Sequence, residues 1–175
     1  MPAYYIYLIS SLPMLQLGMK PPFSYAQFLQ RCAEKIPEPE LALLQKLSLD
    51  ADLDYPQPIP CVLVQWQTFD TALRNELVRI RAARKQKDAA RYLRHDGYTD
   101  ASTAHTAVNA YRNTSLLAVE RSLDEARWRA LDELAAGHYF DFDFLVLYAL
   151  KLLLLERWQV IRVADSALIL EEALR

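Results

Sequence analysis

Glycine is scarce in this chain, and its scarcity limits the folds that the sequence can form. Only three glycines occur in 175 residues, whereas leucine, alanine, arginine and glutamate are abundant. Turn-rich β architectures depend on glycine, and the abundant residues are strong helix formers. We therefore predict an all-α fold, a helical bundle of about five to seven helices.

Bulk composition indicates an ordinary globular protein. The apolar fraction is 53%, the charged fraction is 24% and the formal net charge is −2. A chain of this length builds a hydrophobic core without disulfides or metals, and we predict a single helical domain over residues 1–175. The near-neutral charge gives no overall field that would attract nucleic acid or an acidic membrane.

The longest apolar run, residues 144–155, is interrupted by Lys151. It is shorter than the roughly 20 residues that cross a bilayer. We predict a buried core helix here, and a protein that is not embedded in a membrane. Residues 1–12 are apolar, but no basic residue precedes them and no small-residue cleavage site follows, so we expect no secretory signal.

The two cysteines, Cys32 and Cys61, have no CxxC spacing. Isolated thiols of this kind are typical of reduced, buried side chains in a cytosolic protein. This pattern predicts a cytoplasmic location.

The N-terminal segment is aromatic and nearly uncharged. Residues 4–10, YYIYLIS, have the composition of a strand, or of one or two buried helical turns. Pro13, Gly18, Pro21 and Pro22 then forbid a continuous regular element. We predict an extended or irregular N-terminal segment packed on the helices.

Capping and breaking residues outline the first helices. Ser24 and Gln27 form a capping-box pattern that predicts a helix over 24–35. Phe23 and Phe28 stand at its staple positions. Prolines at 37 and 39 break this helix, and a second helix is predicted from 38 to 50. The Pro-rich link 50–60 is not helical, and is either ordered or flexible.

A long helix is predicted to begin near Pro60, because proline is favoured at the first helical position. Its apolar residues recur every three or four positions on one face; they are Val62, Trp66, Phe69, Leu73, Leu77 and Ile80. Residues 95–100 predict a turn. Further helices are predicted from Asp100 and from about Ser115.

The C-terminal part carries its own start and stop signals. Ser122 and Glu125 form a second capping-box pattern, and Gly137 is typical of a helix stop. Asp141 or Asp143 is expected to cap the last long helix. A break near residues 165–166 is expected before a final turn.

Basic residues gather between positions 74 and 94. If this segment were one helix, Arg84, Lys87, Arg91 and Arg94 would share a face. Three interpretations stay open: a solvated face, a docking surface for an acidic protein, and a nucleic-acid-binding surface. The docking hypothesis names Arg74, Arg81, Arg84, Lys85, Lys87, Arg91 and Arg94.

No catalytic, cofactor or metal signature accompanies these features. His95, His105 and His138 occur outside any HExxH or Cys/His pattern, so we predict no metal site and no cofactor. We expect His138 to interact with the end of the preceding helix. Asp141 and Asp143 open a helix, which favours capping over acid–base chemistry. We predict that the chain is not an enzyme.

Three segments together resemble one protein family. They are YYIYLISSLPMLQLGMKPPFS near the start, ALRNELVRIRAARKQKDAARYLR in the middle and RWRALDELAAGHYFDFDFLVLYALKLLLLERW near the end. The chain resembles an uncharacterised bacterial family encoded alongside subunits of vacuolar-type (V/A-type) ATP synthases. The resemblance covers most of the chain. It suggests an analogy with a shortened form of the helical central-stalk subunit that sits on the membrane ring and receives the rotor shaft.

This resemblance implies a non-catalytic structural or coupling subunit of a rotary ATPase. Its partners would be other protein subunits of that complex, and its place would be the cytoplasm or the inner face of the plasma membrane. One alternative is a free-standing assembly or regulatory factor of the same complex. Another is a nucleic-acid-binding helical protein that uses the basic residues 74–94.

Overall fold

The fold is known from a computed structural model that describes residues 5–49, 55, 57–94, 99, 101–112 and 115–173, with side chains for all of these except 165–173. The described residues form α-helices and one short 3₁₀ helix, Ala89–Tyr92, and contain no β-strand. The predicted all-α class is confirmed. The helices are α1 (Ile6–Ser10), α2 (Tyr25–Ala33), α3 (Glu38–Lys46), α4 (Cys61–Arg84), α5 (Ala101–Tyr111), α6 (Leu116–Leu134) and α7 (Phe142–Ala173).

The chain divides into two compact units. The first contains residues 1–58 and 137–175, and the second contains residues 59–136. The first unit therefore joins both ends of the chain, and the second is a continuous insertion between them. A single folding domain over 1–175 stays a prediction, since this division concerns packing and not independent folding.

Helix α7 forms the centre of the first unit and packs against α2 and α3. Its residues from Leu145 to Leu155 are buried nearly without interruption, which confirms the predicted core helix. A helix that is apolar all round is stable only when its surroundings cover every face. The Tyr148 ring lies between the rings of Phe23 and Phe28, with centroids 6.4 and 5.5 Å away.

The N-terminal segment is anchored to this core by hydrogen bonds. The Tyr148 hydroxyl donates to the Pro13 carbonyl at 2.9 Å, and the Tyr5 amide donates to the Phe140 carbonyl at 2.6 Å. Residues 6–10 form a helical turn, so the helical alternative is confirmed and the strand alternative is wrong. The turn is buried only at Leu8 and Ile9, and Tyr7 is exposed. The chain from there to Ser24 is largely irregular, as predicted; Tyr4 falls outside the described residues.

The capping box of α2 is present as predicted. The Gln27 amide donates to the Ser24 hydroxyl, and the Ser24 amide donates to the Gln27 side chain. The predicted helix after Pro37 is also confirmed, as α3. The Pro-rich link lies partly outside the described residues, and its described residues Tyr55 and 57–60 are not helical.

The second unit is built from α4, α5 and α6, which pack against one another. Phe69, Leu73, Leu77 and Ile80 from the predicted stripe of α4 face its core. In the same cluster they pack with residues of α5 and α6, which are Ala107, Ala110, Val119 and Leu123. The predicted helices beginning near Asp100 and Ser115 are confirmed as α5 and α6. The predicted turn at 95–100 lies almost entirely outside the described residues.

Three sequence predictions about helix ends are wrong. Ser122 does not begin a helix, because residues 116–121 are already helical. An N-cap is needed only at the start of a helix, where the first amides lack partners within the helix. Helix α7 runs through residues 165–166 without a break, since neither residue removes a backbone donor as proline would. Helix α4 ends at Arg84. Lys87, Arg91 and Arg94 lie beyond this end, so they do not share a helical face with Arg84.

Other stop and cap predictions are confirmed. Helix α6 ends at Leu134, shortly before Gly137, which has a φ of +95° that suits glycine. The Phe144 amide donates to an Asp141 oxygen at 3.0 Å, so Asp141 caps α7.

No helix among the described residues is both long and apolar enough to span a bilayer.

The end of α4 depends on a strained residue. The Lys87 amide donates to the Ala82 carbonyl at 3.0 Å and the Gln86 amide to the Ala83 carbonyl at 3.2 Å, the two bonds of a Schellman motif. Gln86 has a φ of +51°, a left-handed conformation that L side chains disfavour.

Replacing Gln86 with glycine should relieve this strain. We expect Gln86→Gly to raise the free energy of unfolding by roughly 0.5–1 kcal/mol in urea denaturation. Ala83→Gly, inside the last turn of α4, is the control and should lower it by a similar amount. Destabilisation by both variants would contradict the left-handed cap.

The two thiols should react differently. Cys32 is buried, as predicted, and burial raises the pKa of its thiol to about 11. Cys61 is exposed, contrary to the prediction, because it is the first residue of α4 and lies at the edge of its unit. We expect a thiol reagent to label one cysteine in the folded protein and both after unfolding. The variant Cys61→Ser should show no labelling while folded; rapid labelling of Cys32 in this variant would contradict the burial.

Candidate protein-docking surface

Buried carboxylates of the second unit form ion pairs with arginines of α4 and α6. Asp70 is 2% exposed and Asp124 is fully buried, and both belong to the second unit. Arg127 on α6 donates from Nε to Asp70 at 2.8 Å and from a terminal nitrogen to Asp124 at 2.7 Å. The pair to Asp70 joins α4 to α6 across 57 positions of sequence.

In this cluster the attraction between opposite charges offsets the cost of burying them. Burial by itself would lower the pKa of Arg127, but the charges of Asp70 and Asp124 more than offset it, and the pKa of Arg127 is raised. Buried ions that lack partners are costly, and paired, hydrogen-bonded ions are tolerated. Among the described residues, every buried side-chain nitrogen and oxygen has a hydrogen-bond partner.

Two basic residues of the docking hypothesis are engaged within the unit. Arg74 donates from Nε to Asp70 at 2.6 Å, so it belongs to the same buried cluster. The backbone of Arg94 is clamped by the Asn75 side chain, which accepts from the Arg94 amide at 2.9 Å and donates to the Arg94 carbonyl at 3.0 Å. This clamp ties the end of the basic segment to α4.

Arg84 is exposed but also has a partner. It donates to the Tyr111 hydroxyl at 3.0 Å, and its guanidinium lies 5.3 Å from the centroid of the Tyr111 ring. This contact joins the end of α4 to the end of α5. Arg91, on the 3₁₀ helix, is exposed.

The remaining three basic residues surround one hollow. A cavity of about 320 Å³ at the end of α4 is lined by Val78, Arg81, Ala82, Lys85, Lys87 and Tyr92. We call it the basic hollow. Arg81, Lys85 and Lys87 are exposed, and within the described part of the chain none of them forms an ion pair.

The sequence alone did not single out Val78 or Tyr92 as lining residues. Tyr92 is 56% exposed, and an aromatic residue inside a basic segment was the available signal. Val78 lies one turn before Ala82 on α4, and no sequence pattern showed that a later segment would return beside it. The predicted docking residues thus fall into three groups. Arg81, Lys85 and Lys87 surround the hollow, Arg74, Arg84 and Arg94 make contacts within the unit, and Arg91 is exposed outside the hollow.

A second polar cluster lies at the start of α7. His138 Nδ1 is 2.7 Å from an Asp141 oxygen and 3.7 Å from an Asp143 oxygen. The expected interaction of His138 with the end of the preceding helix stays a prediction, and the contacts of its Nδ1 are with these carboxylates. Burial raises the pKa of Asp143, and His138 opposes that shift.

The donor atoms of His138, Asp141 and Asp143 lie within 4.8 Å of one another, a spacing compatible with a metal ion. However, Asp141 already caps α7 and pairs with His138, which accounts for the arrangement structurally. The expectation of no metal site stays a prediction. His105 lies on α5 beside Asn109, and His95 is outside the described residues.

Comparisons with protein-family models, with curated proteins and with solved structures found no match to this chain.

The Arg127 cluster should be essential to the second unit. Arg127→Ala leaves two buried carboxylates without their shared cation, and we expect it to lower the free energy of unfolding by roughly 3–5 kcal/mol. The control is Arg121→Ala on the same helix, where the exposed pair to Glu125 at 3.3 Å is worth no more than about 1 kcal/mol. Urea denaturation measures both, and equal effects would contradict the structural role.

Proposed function

We propose that this chain is a non-catalytic structural or coupling subunit of a V/A-type ATP synthase that docks an acidic surface of a neighbouring subunit through the basic hollow. The resemblance of its three segments to the family encoded beside such complexes supports the association. A helical protein with a charged docking site fits that role mechanically, since helices hold register and transmit force between subunits.

One observation carries the docking part of the proposal. In the second unit the buried carboxylates Asp70 and Asp124 pair with Arg127 and Arg74, and the buried Glu76 pairs with Arg79. Arg81, Lys85 and Lys87 instead gather at one hollow with no such partner among the described residues. Like charges placed together repel, and an acidic partner removes that repulsion on binding. Charge pairing of this kind sets orientation and association rate between subunits.

Nucleic-acid binding is the second candidate. Tyr92 is exposed beside three cations, and a base can stack on such a ring while its phosphates meet the charges. The net charge of −2 weakens this candidate, because proteins that bind nucleic acid through backbone phosphates are commonly basic.

Affinity purification from gently solubilised membranes tests the proposal. We expect tagged native protein to recover rotary-ATPase subunits in fixed stoichiometry. Recovery only of partly assembled complexes would favour an assembly factor instead. Recovery of the protein alone, or with RNA, would contradict the proposal.

Neutralising the hollow should weaken this association. We expect the triple variant Arg81→Gln, Lys85→Gln, Lys87→Gln to reduce recovered subunits by about 10-fold or more at physiological salt, since each exposed pair contributes up to about 1 kcal/mol. Raising the salt concentration should have the same effect on the native protein, because exposed charges are screened.

The matched control removes the same charge elsewhere. Arg121, Arg129 and Lys46 are exposed basic residues that do not line the hollow. Changing all three to glutamine should leave recovery unchanged. An equal loss in both triple variants would mean that net charge, and not the hollow, controls association.

A further inference from the structure

The basic hollow is more than a charged patch, because its wall is apolar as well as cationic. Val78 and Ala82 are one turn apart on α4, and so are Arg81 and Lys85. These four residues therefore form a single stripe with an apolar edge and a basic edge. Its volume of about 320 Å³ is at the lower end of the range typical of ligand pockets.

The walls of the hollow are held by backbone hydrogen bonds. The Schellman motif turns the chain so that the Lys87 amide binds the Ala82 carbonyl. The Asp88 carboxylate accepts from the Ala90 amide at 2.9 Å and caps the 3₁₀ helix that carries Tyr92. Asp88, the carboxylate next to Lys87 in the sequence, is thus hydrogen-bonded within the turn. These bonds hold the walls of the hollow in place without a partner.

We propose that the basic hollow binds an acidic segment of a partner protein that inserts one aliphatic side chain. The aliphatic group packs against Val78, Ala82 and the Tyr92 ring. Flanking carboxylates of the segment pair with Arg81, Lys85 and Lys87. This inference rests on the proposed function, because both use the same three cations, but it adds an apolar anchor that charge docking alone does not require.

The apolar wall is what favours a protein segment over nucleic acid. A nucleic acid would use the cations for its phosphates and the Tyr92 ring for a base, but its phosphates gain nothing from Val78 and Ala82. An aliphatic side chain gains about 25 cal/mol for each Å² of apolar surface that it buries there. Interface hot spots have this form, a central anchor in a pocket with charges around it.

A pair of synthetic peptides tests the anchor. The first is a short blocked peptide with one leucine flanked on both sides by glutamates, and the second has serine in place of that leucine. We expect calorimetric titration of the full-length protein to give about 10-fold tighter binding for the leucine peptide. Equal affinity for the two, or no binding of either, would overturn the inference.

Variants of the hollow separate the anchor from the charges. Val78→Thr keeps the shape but adds a hydroxyl, and Tyr92→Ala removes an exposed ring, so both should fold. We expect each to reduce the leucine-over-serine preference by about 3-fold or more while binding of the serine peptide stays the same. Tyr139→Ala removes a ring that is 69% exposed in the other unit, and should change nothing.

Other outcomes distinguish this inference from the proposed function. Tighter binding of a short single-stranded DNA than of the leucine peptide would overturn the inference in favour of nucleic acid. If the peptides bind equally and rotary-ATPase subunits are still recovered, charge docking stands and the anchor is wrong. If the leucine peptide is preferred and no such subunits are recovered, the anchor stands and the assignment to the rotary complex is wrong.

Discussion

The ion pair between Arg127 and Asp70 organises the second unit. It joins α4 to α6 between positions 57 residues apart, in surroundings where Asp70 is 2% exposed. Arg127 also reaches Asp124, and Asp70 also accepts from Arg74. Because a buried carboxylate without a cation is costly, this cluster fixes how the two helices face each other.

This cluster and two nearby contacts engage part of the basic segment within the unit. Arg74 serves Asp70, Arg84 lies on the Tyr111 ring, and the Arg94 backbone is clamped by Asn75. Arg81, Lys85 and Lys87 stand around the basic hollow, beside an apolar wall at the Schellman motif and the 3₁₀ helix, and Arg91 is exposed outside it. Within the basic residues 74–94, some residues thus make contacts inside the unit and others are available to a partner.

Local signals predicted much of the fold, whereas the candidate site depends on contacts that sequence does not reveal. The Ser24 and Gln27 box and the Asp141 cap act within one helical turn, so their residue types were sufficient. The stop of α4 was missed because Gln86, and not glycine, has the left-handed conformation. The buried pair of Arg127 and Asp70 was not predicted, because 57 positions of sequence separate the two residues and only tertiary packing brings them together.

A double-mutant cycle on Asp70 and Arg127 tests most directly whether this buried pair holds the second unit together. Unfolding free energies would be measured for the native protein, Asp70→Asn, Arg127→Met and the double variant. We expect a coupling energy of about 2 kcal/mol or more between the two positions, the size typical of a buried, hydrogen-bonded ion pair. A coupling below about 0.5 kcal/mol would contradict it, because additive effects are typical of residues that do not interact.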